Sequence, residues 1–508
     1  MGEILGTALE MWDWLMSHLI LINLVLSVII VFFQRRDPKA VWTWLLALYF
    51  VPVFGFLFYL LLCQDLHKSK MFRIKEVEDK LNVSARSQEN YFKRHEMVLE
   101  EPMERDYKDM VIYNLETSGA VLTLNNHVTI FTDGKKKFED LRREMAQAKH
   151  FIHIQYYIIK NDELFDSLIP VLLEKVKEGV EVRILYDGMG GRFMPKKKWR
   201  MLEEAGVKVG AFFPATLGRI NFRVNYRNHR KIVVIDGKVG YVGGFNIGRE
   251  YIGMDPKFGY WRDTHLKIYG DAVISLQVRF AQDWNYACKE NLFQHAEYFD
   301  IPHSINEERK KLLEGRRQPL GIQIISSGPD ARDRQIRNNY LELFYKAKHH
   351  IYIQTPYFVP DDAVLSALQV AAKSGVDVRL MIPCKPDHPF VYWATYSYVG
   401  DLLAAGARCY TYENGFLHAK GVMADGRVCS YGTANMDIRS FELNFEVNAV
   451  IYDEETTQEL ENIFLEDLNC CREITMDIYR RRTLIMGAKE QCRRLLSPLL
   501  KDHKIQKS

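Results

Sequence analysis

At 508 residues the chain is too long for one ordinary hydrophobic core, and two or three domains are expected. Its 47% hydrophobic and 26% charged residues exclude a disordered chain. A formal net charge of only +3 excludes a globally basic nucleic-acid binder, so an anionic partner must be met by local basic patches. The eight cysteines (positions 63, 288, 384, 409, 429, 470, 471 and 492) form no C-x-x-C pair and no metal-ligand spacing. They are expected as reduced thiols in a cytosolic environment.

In chain order, the first expected element is a stretch from Leu15 to Phe33, almost wholly apolar, broken only by Ser17, His18, Asn23 and Ser27. A second apolar stretch runs from Val41 to Cys63. Each reaches the ~20 residues needed to cross a hydrocarbon core as a helix. Lys and Arg are missing before the first stretch, and no small-residue cleavage site precedes the second. A retained transmembrane helical hairpin over residues 1–66 is therefore expected instead of a signal peptide. Pro52 and Gly55 leave a kinked or re-entrant second span as the alternative. His18 and Asn23 are assigned to helix–helix contact. Both flanks are basic: Arg35, Arg36 and Lys39 in the loop, then His67, Lys68, Lys70, Arg73 and Lys75. The larger cluster and the thiols favour a cytoplasmic catalytic portion of a multi-pass membrane protein.

Residues 67–118 are charged and poor in strand signals, which predicts a helical connector near the membrane surface. From 119 the pattern becomes α/β. Strand (151–159), helix (164–177), Gly179 and strand (182–186) follow one another. The same order returns as strand (351–358), helix (363–373), Gly375 and strand (378–382). Short turns between such elements predict mixed, mostly parallel sheets flanked by helices. The first domain is placed at 119–305 and the second at 318–508, divided by Pro302, Ser304 and a charged run. The tail from Arg472 is basic and fits either a solvated helix face or contact with anionic headgroups.

One motif occurs in both halves. His229-Arg-Lys231, Asp236 and Gly243-Gly-Phe-Asn246 are matched by His418-Ala-Lys420, Asp425 and Gly432-Thr-Ala-Asn435. Two chance matches at this spacing have a probability on the order of 1e-8. In a strand, residues two apart share a face, so each His projects with its Lys. A neutral imidazole can attack phosphorus and split one displacement into two easier ones. The ammonium neutralises charge building on the non-bridging oxygens, and the Asn amides and Thr433 hydroxyl can bind phosphate. The second histidine protonates the leaving alcohol and then deprotonates the incoming one. No carboxylate cluster marks a two-metal site, so the chemistry is expected to need neither metal nor cofactor. Asp236 and Asp425 stand at strand ends and either hold the turn or join the catalytic set. Asp263 and Glu446 follow the two motifs at comparable places, and each could orient a histidine by accepting its second ring N–H.

These motifs resemble the paired HKD motifs of the phospholipase D superfamily and, within it, the bacterial cardiolipin synthases. Asn225-Tyr-Arg-Asn-His-Arg-Lys231, Trp261-Arg-Asp-Thr-His265, Asn414-Gly-Phe-Leu-His-Ala-Lys420 and Gln354-Thr-Pro-Tyr-Phe-Val-Pro-Asp361 carry the resemblance. So do Gly243 to Tyr251, Tyr186 to Gly190, Ser497-Pro-Leu-Leu500 and the apolar hairpin. The resemblance implies two phospholipase D-like lobes related by pseudo-twofold symmetry. It also implies transfer of a phosphatidyl group between two phosphatidylglycerol molecules, with His229 as nucleophile and His418 as acid/base. Gly244 and Thr433 stand where the family usually has Ser, so the first copy lacks a hydroxyl and the second keeps one. The competing readings are a hydrolytic phospholipase D, a transferase with another alcohol acceptor, and a nuclease. The apolar hairpin and the near-neutral charge weigh against the last.

Overall fold

The computed structural model describes residues 2–32, 38–53, 55–56, 59, 103–214, 226–299, 320–331, 333–387 and 389–496. The basic clusters at Arg35, Arg36 and 67–75, most of the connector, the dividing segment at 300–319 and Ser497 to Leu500 lie outside the described residues.

Among the described residues the first lobe contributes seven strands to the path of one large sheet and the second eight. In the first lobe the spatial order is Lys208–Phe212, Glu181–Asp187, Phe151–Tyr156, Ile232–Ile235, Val239–Gly243, His265–Gly270 and Leu122–Phe131. The second continues with Leu320–Ser327, Asn444–Tyr452, Val428–Gly432, Gly421–Ala424, His350–Gln354, Asp377–Pro383 and Arg408–Tyr412. This is the first order in reverse, with Cys471–Ile474 added at the far edge. The pseudo-twofold axis passes between Leu122–Phe131 and Leu320–Ser327, which pair antiparallel. The expected duplication is present.

The sheet is mixed, as expected, but its bias is opposite to expectation. Four pairings along this path are parallel and ten antiparallel. The reason is local. After Ile232–Ile235 the chain reverses through Asp236 and Gly237, with φ of 52° and 64°, and Lys238 N–H donates to Ile235 O. Asp425 and Gly426 do the same at 54° and 66°. Two successive positive φ values make the hairpin turn that Asp-Gly favours. Each motif strand is thus one arm of a hairpin, and along this path, among the described residues, only the strand–helix–strand units at the sheet's outer parts are parallel.

Aspartates start the helices on these units. Asp162 accepts from Leu164 N ahead of Glu163–Lys177, and Asp361 from Val364 N ahead of Asp362–Lys373. Two further helices, Ala272–Cys288 and Glu454–Leu468, bury Phe280, Trp284, Leu460 and Phe464 in a core that also holds Phe445 and Val447. This core spans both lobes and fixes how they meet. The described end of the connector, Met103–Ser118, is a helix whose Tyr107, Met110, Val111 and Leu115 are buried with Ile325, Ile336 and Tyr340 of the second lobe.

At the N-terminus a helix Gly2–Phe32 packs against a shorter one, Pro38–Phe50. Asn23 Nδ2 donates to Leu48 O and Pro52 O, at 3.1 and 3.2 Å. Among the described residues no helix is long and apolar enough to cross a membrane. The second helix is interrupted at Val51 ahead of Pro52, where a kink is the alternative reading, and Pro52, Val53, Gly55, Phe56 and Tyr59 are helical again.

Candidate active site

The two motif histidines are brought to the axis by short crossing strands. Arg227–Asn228 of the first lobe pairs with Asn444–Phe445 of the second, and Phe416–Leu417 of the second pairs with Trp261–Arg262 of the first. His229 N–H donates to Phe445 O at 2.9 Å, and His418 N–H to Arg262 O at 2.7 Å. This exchange sets each histidine beside the other lobe's carboxylate. His229 Nδ1 lies 2.9 Å from Glu446 Oε2, and His418 Nδ1 lies 2.6 Å from Asp263 Oδ2. Both carboxylates are fully buried. With Nδ1–H spent on a carboxylate, Nε2 is the nitrogen left to do chemistry.

Lys231 and Lys420 are buried with them, each donating to the main-chain oxygen of its histidine. Lys420 Nζ also lies 2.8 Å from His418 Nδ1. Burial and this ammonium push His418 down to about 4, so its ring is neutral at neutral pH. Burial alone would raise Asp263, but Lys420 and His418 outweigh it and hold the carboxyl below its usual range. Burial wins at Glu446, whose pKa is raised despite Lys231, Thr433 and Asn444. The two pairs share geometry but not electrostatics.

The remaining sequence candidates divide. Asp236 and Asp425 stand at the far end of the motif strands, about 20 Å from the histidines at strand rise. Their carboxylates accept main-chain N–H groups: Lys149, His150 and Phe151 for Asp236, and Lys348, His349 and His350 for Asp425. The geometry is that of a turn anchor. Asn246 is buried, donating to Tyr251 Oη at 2.9 Å and accepting from Ile158 N at 3.1 Å. Asn435 donates weakly to Asp437 at 3.4 Å, and its buried Oδ1 has no partner. Thr433 Oγ1 donates to Glu446 Oε2 at 2.7 Å, on the carboxylate that holds His229. At the matching position a Cβ on Gly244 would overlap the Asp263 carboxylate.

Sequence reasoning missed a second layer. Arg230, the middle residue of the first motif, donates to both Asp283 oxygens at 2.6 Å, to Ser326 Oγ at 2.6 Å and to Glu446 O at 3.1 Å. Beside the second motif Arg262, from the first lobe, takes that part, donating to Asp467 of the second at 3.0 to 3.1 Å. Gln155 and Gln354 donate to the same two aspartates at 2.7 and 2.8 Å. Their recurrence at one strand position was the available signal. Aromatic rings line the pair, with Tyr157 5.0 Å from the His229 ring and Trp261 5.1 Å from the His418 ring.

Comparison with known proteins agrees with this geometry. A family model described as the cardiolipin synthase PLD-like domain matches residues 141–284 and 340–468, one segment per lobe. A phospholipase D-nuclease N-terminal model matches residues 21–62. A cardiolipin synthase of Oceanobacillus iheyensis is 45% identical over 480 residues, covering 94% of this chain and 97% of that one. The major cardiolipin synthase of Bacillus subtilis is 46% identical over 488 residues, covering 96% and 99%. Among solved structures, phosphatidylserine synthase of Haemophilus influenzae has a TM-score of 0.57 at 15% identity, covering 79% of this chain and 98% of that one. That likeness concerns the fold. Since matches this close run through the N-terminal segment and both lobes, the chain belongs to the cardiolipin synthase family of phospholipase D-like proteins.

Proposed function

We propose that the protein is a cardiolipin synthase, a phosphatidyltransferase acting on two phosphatidylglycerol molecules. One observation carries the mechanism: two buried histidines, each fixed at Nδ1 by a carboxylate from the opposite lobe. His229 Nε2 attacks the phosphorus of the first lipid, forming an N–P bond as the P–O bond to glycerol breaks. His418 gives a proton to the departing glycerol oxygen. It then takes one from a hydroxyl of the second phosphatidylglycerol, which attacks phosphorus, breaks the N–P bond and yields cardiolipin. The arriving phosphodiester anion raises the affinity of His418 for that proton, and ionised Asp263 stabilises the imidazolium. Lys231 and Lys420 offset charge on the phosphoryl oxygens. Asn246 and Asn435 can turn their amides to the same oxygens, Asn435 with the smaller loss because its bond to Asp437 is long.

The N-terminal helices fit a hairpin lodged in the membrane, with the lobes on the cytoplasmic side. Ile20, Leu21, Leu24, Phe32, Trp42, Tyr49 and Phe50 are each more than half exposed, an apolar surface suited to lipid and costly in water. Lipid, not nucleic acid, is the expected partner.

The test is to reconstitute the protein in phosphatidylglycerol vesicles with a chelator and identify products by mass spectrometry. Cardiolipin and glycerol in equal amounts are expected. Phosphatidic acid without cardiolipin would establish hydrolysis instead.

A further inference from the structure

The catalytic lobes carry a surface that the reaction chemistry does not use. Between the strand ending at Asp187 and the helix Lys196–Glu204, the chain turns through residues 188–195. This turn sits directly on the site: Gly190 packs so closely on Tyr157 O that a Cβ there would overlap it, and the Tyr157 ring contacts His229. At its tip Phe193 is 69% exposed, with the Arg192 guanidinium 4.5 Å from its ring centroid.

The helix that follows buries Trp199 and Leu202 and turns Lys196, Lys197, Arg200 and Met201 outward. Lys198 is paired with Asp166, whereas Lys196, Lys197 and Arg200 are exposed and make no ion pair among the described residues. The helix's acids, Glu203 and Glu204, stand at its far end from Phe193. A second loop flanks the other histidine. Trp261, against His418, also packs on Phe258, and beyond it Met254 is 50% exposed near the exposed Lys257.

An exposed aromatic followed by a helix with three exposed cations that make no ion pair among the described residues matches one kind of partner. The ring enters the acyl boundary while the cations meet negative headgroups. A soluble polyanion would satisfy the cations but leave Phe193 in water. We propose that the 188–201 segment, helped by the 253–260 loop, docks the two lobes onto an anionic bilayer and presents the histidine pair to lipid headgroups. This rests on the reading of the protein as a lipid phosphatidyltransferase and adds where the membrane touches it.

The test compares two supplies of substrate to the full chain in vesicles: long-chain phosphatidylglycerol within the bilayer, or dispersed short-chain phosphatidylglycerol added to phosphatidylcholine vesicles. Phe193→Ser and the double change Lys196→Glu, Lys197→Glu should each lower turnover of the bilayer substrate about tenfold. Turnover of the dispersed substrate should stay within about twofold of the unmodified chain, which also shows that the variants fold. Equal losses on both substrates, or no loss on either, overturn the docking surface. Failure of the unmodified chain to make cardiolipin from either substrate would instead refute the functional reading.

Discussion

At the residue scale, the site is two copies of one device made unequal by a few side chains. Replacing either His229 or His418 by Ala should abolish cardiolipin formation, measured by mass spectrometry. Asp263→Asn keeps the shape but removes the charge that fixes the His418 tautomer. A fall in kcat of about a hundredfold to ten-thousandfold is expected, with little change in KM. Positions 244 and 433 should respond differently although they are equivalent in the motif. A Cβ at 244 meets Asp263, so Gly244→Ser should displace that carboxylate and lose most activity. Thr433→Ala removes one hydrogen bond to Glu446, and about a tenfold loss in kcat is expected. If Gly244→Ser is the milder change, Asp263 does not depend on that close approach.

At the element scale, the Asp-Gly hairpin is what the motif's aspartate serves. Asp236→Ala leaves three main-chain N–H groups without their carboxylate and places Ala at a φ of 52°. A loss of about 2–3 kcal/mol is expected, with kcat per folded molecule unchanged. Asp236→Asn retains an acceptor and tolerates the left-handed conformation, so its loss should be nearer 1 kcal/mol. Denaturant melts and active-site-normalised rates together check this, and an inactive but fully stable Asp236→Ala would return the residue to the catalytic set. The Asp-Gly pairs were present in the sequence as hairpin signals. Strand–helix–strand periodicity drew the expectation towards parallel pairing, and period alone does not say on which side the next strand lies.

At the scale of the whole molecule, the lobes depend on one another through buried charge. Arg262 of the first lobe is fully buried against Asp467 of the second. Arg262→Met should cost about 2–3 kcal/mol, because it strips the partly buried Asp467 of its guanidinium and leaves it the Gln354 amide. Acid should act on the same core. His418 is held at about 4 by burial and Lys420, and His153 at about 3 by burial, against an ordinary 6.5. Both folded values are lowered, so the unfolded chain takes up these protons first. Stability is intact above pH 6.5 and is lost progressively as pH falls towards 4, by on the order of 3 kcal/mol per histidine. A melting temperature that falls between pH 7 and 5, and falls less in His153→Phe, is the expected result. A flat profile would refute the sign.

The sequence by itself determined the duplication, the identity of both His–Lys pairs and the family resemblance, because these depend on residue type and spacing along the chain. It also marked Asp263 and Glu446, though not which histidine each would meet. That choice belongs to the tertiary structure. Crossing strands from opposite lobes set Glu446 against His229 and Asp263 against His418, joining residues 217 and 155 positions apart. That the Thr433 hydroxyl would meet Glu446 was likewise decided by the fold. Local chemistry was legible because it is written in neighbours. Register between the lobes was not, because it is settled by a core that both halves build together.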